Sequence, residues 1–204
     1  MNHVLNSYWE VQLKPNLIDN GSDKLVVILP GIGYTIDRVT IEYSGELALS
    51  QNYDLMEVEY GFQVARKAFN VKEEFNIIAD ETLELVKDAL SLKEYKEVII
   101  IGKSIGTCVQ DFLNEKIEGI NIKNIYISPI DKTVGMGFKE GSLIITGSKD
   151  PLLSEENLQN IVDSKKYKVI IFNGANHALN LEKNPIGSLE VQIEIIKAIK
   201  TFIK

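Results

Sequence analysis

Five short, wholly apolar runs constrain this chain more than any other feature: LVVIL (25–29), VIII (98–101), IYI (125–127), LIIT (143–146) and VIIF (169–172). None alternates with polar residues, so each reads as a strand buried on both faces. A mostly parallel sheet with helices on either side provides that environment. A further strand is expected near 55–58. Helical spacing fills the intervals: Val39, Tyr43 and Leu47; Phe75, Ile78, Thr82, Leu85, Val86 and Ala89; Ile105, Cys108, Val109 and Phe112; Leu189, Ile193, Ile196 and Ile199. Ser154 reads as a helix N-cap, with Glu155 and Glu156 in the first turn where the helix dipole favours them. WEVQL (9–13) does alternate, and is expected as an edge or antiparallel addition to the sheet.

The five prolines are scattered, and no repeat, linker or low-complexity segment interrupts the pattern. At 204 residues the expectation is one domain, 1–204, able to bury roughly 70% of its unfolded surface. The predicted architecture is therefore α/β: a three-layer, mostly parallel sheet flanked by helices, with no cap domain.

The charge balance excludes several functions. Twenty-two Lys and Arg against 29 Asp and Glu give a net charge of −7, a field that repels a phosphate backbone, so no nucleic-acid partner is expected. Two histidines and one cysteine do not make a zinc site of the usual His/Cys kind, and no metal is expected. One cysteine excludes an internal disulfide framework. The apolar runs fall far short of the ~20 residues that cross a bilayer, and the N-terminal segment has no secretory pattern. A cytoplasmic protein with no membrane partner is the expectation.

The chemistry turns on Gly102-Lys103-Ser104-Ile105-Gly106, directly after the VIII strand and directly before a helix. As a phosphate loop it fails: the required first glycine is Glu97, and positions 98–101 are β-branched residues suited to a strand. As G-x-S-x-G it fits a nucleophile elbow. There Ser104 stands at the tip of a strained turn, at the carboxyl end of the sheet, beside the N-terminus of a helix. A serine at its ordinary pKa needs a base, and the base needs an orienter. His177, in the loop after VIIF, is the candidate base; His3 sits at the chain's start, where fraying is expected. Asp150, after LIIT, is the first candidate for the acid and Asp131, after IYI, the second. Asp163 falls on a helix and reads as a solvated surface charge. The order Ser…Asp…His, each after a different strand, is that of the α/β-hydrolases and not of the two other common triad folds. GIGYTI from Gly31 is not a dinucleotide fingerprint, because its third glycine would be Ile36.

Taken together, LPGIGYT, GKSIGT, TGSKDPL and GANHALN resemble the α/β-hydrolase superfamily, in particular its small lidless esterase-like and dienelactone-hydrolase-like members. The resemblance runs from about Leu25 to the C-terminal helix. It implies Ser104 as nucleophile, His177 as base and then acid, and Asp150 as orienter. It also implies an oxyanion hole from the Ile105 N–H plus one from the PGIGY loop, with Ile32 first choice and Gly33 or Tyr34 next. Pro30 stands where such loops carry histidine.

Around this centre, Tyr34 is a pocket candidate, and Thr35 or Asp37 a cap for the next helix. Cys108 reads as a small buried hydrophobe. Lys103 is either solvated or a cation at the mouth of the site, and its position on a tight turn argues against a Ser–Lys dyad. Met136 and Phe138 are either an acyl-pocket wall or a plug at the end of the sheet. The 15 residues between Ile127 and Leu143 leave no room for a lid. The expected activity is a serine hydrolase cleaving a small ester or thioester without a cofactor, as a monomer or homodimer. Acyl transfer by the same triad, or ligand binding without turnover, are the alternatives.

Overall fold

The chain begins with a hairpin rather than a sheet edge. The computed structural model describes residues 4–204, and His3 lies outside the described residues. Strands β1 (Leu5–Asn6) and β2 (Gln12–Leu13) pair antiparallel in a sheet of their own. The alternation in WEVQL thus marks an anchor, not an edge of the main sheet. Trp9 is buried, 5.9 Å from the ring of Phe62, which stacks at 4.4 Å on Phe69. The antiparallel edge is instead β3 (Asn16–Ile18).

The main sheet adds β4 (Lys24–Leu29), β5 (Asp54–Glu57), β6 (Glu97–Lys103), β7 (Asn121–Ile127), β8 (Leu143–Gly147) and β9 (Lys168–Phe172). Its order is β3-β5-β4-β6-β7-β8-β9, parallel throughout except for β3. Every residue from Leu25 to Leu29 and from Val98 to Ile101 is buried. At about 1.5–3 kcal/mol for each buried aliphatic side chain, β4 and β6 are the mechanical spine.

Helices α1 (Val39–Ser50) and α7 (Pro185–Ile203) cover one face. On the other lie α2 (Gly61–Ala65), α3 (Val71–Ser91), α4 (Ile105–Lys116) and, beyond them, α6 (Glu155–Asp163). The β7–β8 connection holds only the six-residue helix α5 (Asp131–Met136), so nothing roofs the carboxyl end of the sheet there.

Two helices are rotated from the faces that periodicity marks. Tyr43, Leu189 and Ile193 are more than half exposed, lining a groove between α1 and α7. The faces against the sheet carry Thr40, Ile41, Ser44 and Ala48 on α1, and Val191, Gln192, Ile195 and Ile199 on α7. Polar residues sit in the core there because they are hydrogen-bonded, which a hydropathy pattern does not register. Ser154 caps α6 as expected, accepting from the Asn157 N–H. Neither Thr35 nor Asp37 caps α1: they bond to each other, and Arg38 occupies the cap position without a side-chain bond.

Helix α4 meets the sheet at backbone distance. A Cβ on Gly106 would lie 2.4 Å from the Leu29 carbonyl oxygen and 2.6 Å from that of Pro30, both main-chain atoms of the neighbouring strand's end. Further along α4, Asp111 is buried and accepts a 2.5 Å bond from the Tyr126 hydroxyl, while its Oδ2 has no partner among the described residues. Burial pushes its carboxyl up to about 7, against the opposing pull of the Tyr126 bond.

Two outcomes follow for stability. Gly106→Ala should cost about 2 kcal/mol in urea unfolding, because the atoms it meets are backbone and cannot step aside; Gly135→Ala, with open space around its Cβ, should be neutral. The native state holds the Asp111 proton up to about pH 7, whereas the unfolded chain releases it near 3.8. Its contribution is therefore full below the lower value and lost as pH rises through the upper one. Asp111→Asn cannot ionise, so relative to the native chain it should gain about 2 kcal/mol between pH 5 and pH 8.5, read from urea midpoints at the two pH values.

Candidate active site

Strand β6 ends at Lys103 and α4 begins at Ile105, leaving Ser104 alone in the turn. Its φ of 56° and ψ of −119° are a backbone state that a side-chain-bearing residue adopts only when its surroundings hold it there. Those surroundings are visible. The Ser104 N–H donates to the Ile127 carbonyl at 3.0 Å, and its own carbonyl accepts from the Thr107 N–H at 2.9 Å and from the Thr107 hydroxyl at 2.5 Å. Thr107 is bonded in turn to Thr133 on α5. Cys108 is fully buried on the same helix, as its position suggests, with its sulfur 3.2 Å from the Thr133 hydroxyl.

His177 Nε2 lies 2.8 Å from Ser104 Oγ, and His177 Nδ1 lies 2.7 Å from Asp150 Oδ2. A carboxylate only accepts, so Nδ1 carries the proton toward Asp150 and Nε2 is left as the acceptor facing the serine hydroxyl. Asp150 is buried and its second oxygen accepts from the Leu152 N–H at 2.9 Å; the His177 side chain is 25% exposed. The three residues named from the sequence are thus brought into one hydrogen-bonded line. Asp131 is not part of it. Its Oδ1 accepts from the Ser154 N–H, the Ser154 hydroxyl and the Asn157 amide, joining α5 to α6. Asp163 is exposed on α6, bonded to Gln159.

The acid and base loops are laced together by residues whose role the sequence did not reveal. The Gly174 N–H donates to the Ser148 hydroxyl at 2.8 Å, and the Lys149 N–H to the Ala175 carbonyl at 2.9 Å. Gly147 permits this crossing, since a Cβ there would lie 2.1 Å from the Ala175 oxygen. Beyond it, Asn176 Oδ1 accepts from the N–H groups of Ala178 and Asn180, closing a tight loop around His177. An Asn beside Gly and Ala in GANHALN is the local signal for such a side-chain-closed turn.

Opposite the serine, the PGIGY loop is fixed from α2, an element too short for periodicity to mark. Gln63 Nε2 donates to the carbonyls of Gly31 at 2.8 Å and Ile32 at 3.2 Å, and the Tyr60 hydroxyl to that of Pro30 at 3.2 Å. Peptides are planar and trans, so these anchored carbonyls turn the N–H groups of Ile32 and Gly33 to the side away from Gln63. Gly31 itself abuts Ser104: a Cβ on it would lie 3.2 Å from Ser104 Cβ. At the start of α4, the Ile105 N–H is among the donors with no partner inside the helix.

The remaining pocket candidates are placed differently from expectation. Lys103 is neither solvated nor at the mouth of the site; it is fully buried, with Nζ donating to the His177 carbonyl at 2.5 Å and lying 5.0 Å from the centre of the Tyr34 ring. Burial pushes its ammonium down to about 7, with Asp150 acting against that fall. The physical reason lies in the strand: β6 residues alternate faces, so Lys103 points with Ile99 and Ile101 toward the α1/α7 layer, not outward. Tyr34 is half-buried beneath it, its hydroxyl 2.8 Å from Thr40 Oγ1. Phe138 packs edge-on against Tyr126 and Tyr167, in the cluster that α6 shares with β7 and β8. Met136 packs against the core on the α3/α4 face. Among the described residues no cluster of His, Cys, Asp or Glu could hold a metal, and no helix is long and apolar enough to cross a membrane.

No family model matches the chain, and no curated protein matches it. Solved structures do. An Agrobacterium tumefaciens protein of unknown function, proposed as an α/β-hydrolase, superposes with a TM-score of 0.78 at 15% identity, covering 100% of this chain and 94% of that one. A Pyrococcus furiosus esterase gives 0.69 at 16% identity, covering 100% and 91%. An α/β serine hydrolase without a lid from Xanthomonas campestris gives 0.71 at 10% identity, covering 100% and 93%. With these end-to-end likenesses beside the strand order, this chain has the α/β-hydrolase fold.

Proposed function

We propose that the chain is a serine hydrolase that cleaves a small ester or thioester through an acyl-enzyme on Ser104. The observation that carries the reading is the continuous line Ser104 Oγ, His177 Nε2, His177 Nδ1, Asp150 Oδ2, with both links at 2.7–2.8 Å. In the first half-reaction Ser104 Oγ attacks the acyl carbon while its proton passes to His177 Nε2. Asp150, buried and bonded to Nδ1, stabilises the imidazolium and fixes the tautomer that makes Nε2 the base. The carbonyl oxygen becomes an oxyanion, met by the Ile105 N–H and by one from the PGIGY loop, Ile32 first and Gly33 next.

Collapse of that intermediate breaks the bond to the leaving group, which takes the proton from His177. Water then repeats the sequence: His177 removes its proton, the oxygen attacks the acyl carbon, and Ser104 leaves with the proton restored. An ester or thioester is favoured because an alkoxide or thiolate needs less protonation to depart than an amine. The short β7–β8 connection supports a shallow, open site suited to a small or protruding acyl group. It also supports activity without a lipid interface to open it.

The test is labelling of the native chain with a fluorophosphonate and location of the adduct by mass. Ser104 should carry it; Ser104→Ala should abolish it. His177→Ala and Asp150→Asn should slow it by about 10³- to 10⁴-fold, the scale on which a triad loses activity with its base or tautomer. A folded native chain that takes no label would refute the reading in favour of a ligand-binding protein on this fold.

A further inference from the structure

Beneath the active site lies a polar cluster that the triad does not account for. Lys103 Nζ holds the main-chain carbonyl of His177. Two residues on, the Leu179 carbonyl accepts from Gln192 Nε2 at 3.1 Å. Gln192 Oε1 accepts from Thr40 Oγ1, which leaves the Tyr34 hydroxyl as the donor to Thr40. The ring of that same tyrosine lies under the Lys103 ammonium. Lys103, Thr40 and Gln192 are all buried. A buried ammonium is costly, and an aliphatic side chain would fill the space at lower cost.

From this arrangement, and resting on the hydrolase reading above, we infer that Lys103 is a positioning residue for the base. It grips His177 by its carbonyl from below, so that the residue next to the nucleophile sets where the imidazole stands. The logic is geometric. The imidazole reaches Ser104 across 2.8 Å from a loop that the fold leaves otherwise open on its outer side, with Asn176 and Asn180 exposed. Side-chain bonds to Asp150 and Ser104 orient the ring but do not fix the backbone that carries it. The Asn176 turn and the Lys149–Ala175 bond close the loop upon itself and against its neighbour, and Lys103 and Gln192 tie it to the core at alternate carbonyls, one from β6 and one from α7. Because Lys103 is the last residue of the spine strand and Ser104 the next, nucleophile and base are held by one continuous rigid element.

The test uses the full chain in a His3→Ala background, where His177 is the single histidine and its Nδ1–H proton gives one downfield NMR signal. Native, Lys103→Met, Lys103→Gln and, as a packing control on the same strand face, Ile101→Ala are compared. Lys103→Met should fold, lose the Nδ1–H signal to exchange, and label with fluorophosphonate about 10- to 100-fold more slowly. That is the cost of a reacting group displaced by about an ångström. Hydrolysis of p-nitrophenyl acetate should fall in kcat with KM within twofold. Lys103→Gln, with a shorter neutral donor, should fall between native and Met.

Folded Met and Gln variants that keep both signal and labelling rate within twofold would overturn the inference, as would an equal loss in Ile101→Ala. If Lys103→Met does not fold, Lys103→Gln and Gln192→Leu decide on the same readouts: unchanged signal in both overturns it, weakened signal in both supports it. The NMR signal needs no turnover. A native chain that shows the signal yet takes no label refutes the hydrolase reading alone, and the fate of the signal in the variants still judges Lys103.

Discussion

The rest of the structure depends on one approach of backbone to backbone, where α4 leaves β6 and grazes the end of β4. Gly102 and Gly106 have no side chain there: a Cβ on Gly106 would meet the Leu29 and Pro30 main chain, and one on Gly102 the Gln110 side chain and the Gly106 main chain. That contact forces the chain to reverse within a single residue, and the residue caught in the reversal is Ser104, at φ 56°. The strained conformation is thus a consequence of packing, held by bonds at both ends of the residue. It places a hydroxyl and the start of a helix at the same point, which suits chemistry that develops negative charge on an oxygen.

Around that point the sheet acts as a ruler. Strand β6 ends level with Ile145, through Ile127 of β7, and β8 and β9 end together two residues further on, at the Gly147–Phe172 pair. Their loops therefore emerge side by side, and three residues separated by up to 73 positions meet within hydrogen-bond distance. Few long-range contacts beyond the sheet register are needed to bring them together.

The sheet and the meeting of Ser104, His177 and Asp150 were legible in the sequence because both rest on strong local signals. A run such as VIII has only one comfortable environment, and a small-residue elbow directly after it has few uses. The two halves of the hydropathy pattern were not equally reliable. On α1 and α7 apolar side chains such as Tyr43, Leu189 and Ile193 face the outer groove, while Thr40, Ser44 and Gln192 sit among the aliphatic residues of the core side, where hydrogen bonds satisfy them. Lys103 misled for a related reason: charge suggests solvent, yet strand alternation dictates the inner face and a carbonyl rewards it. Gln63 left no trace, since it sits on a five-residue helix and acts only through folded distances. The alternation in WEVQL was read as one strand of the main sheet, whereas only Gln12–Leu13 is strand, paired in a sheet of its own, and Trp9 and Glu10 form the hairpin's turn. Pairing partners are long-range information, whereas alternation is local.

One consequence of the loop arrangement concerns time rather than geometry. Ser104, Asp150 and His177 follow three different strands, β6, β8 and β9, and the His177 carbonyl is held from β6 and its loop from α7, the last helix of the chain. No partial product of folding carries an organised centre, because each fragment lacks either the base or the helix that steadies its loop. Under the proposed mechanism Ser104 thus gains its partner only when the polypeptide has closed upon itself. Reactivity at Ser104 is in that sense a gauge of completed folding, registering the whole sheet at a single atom.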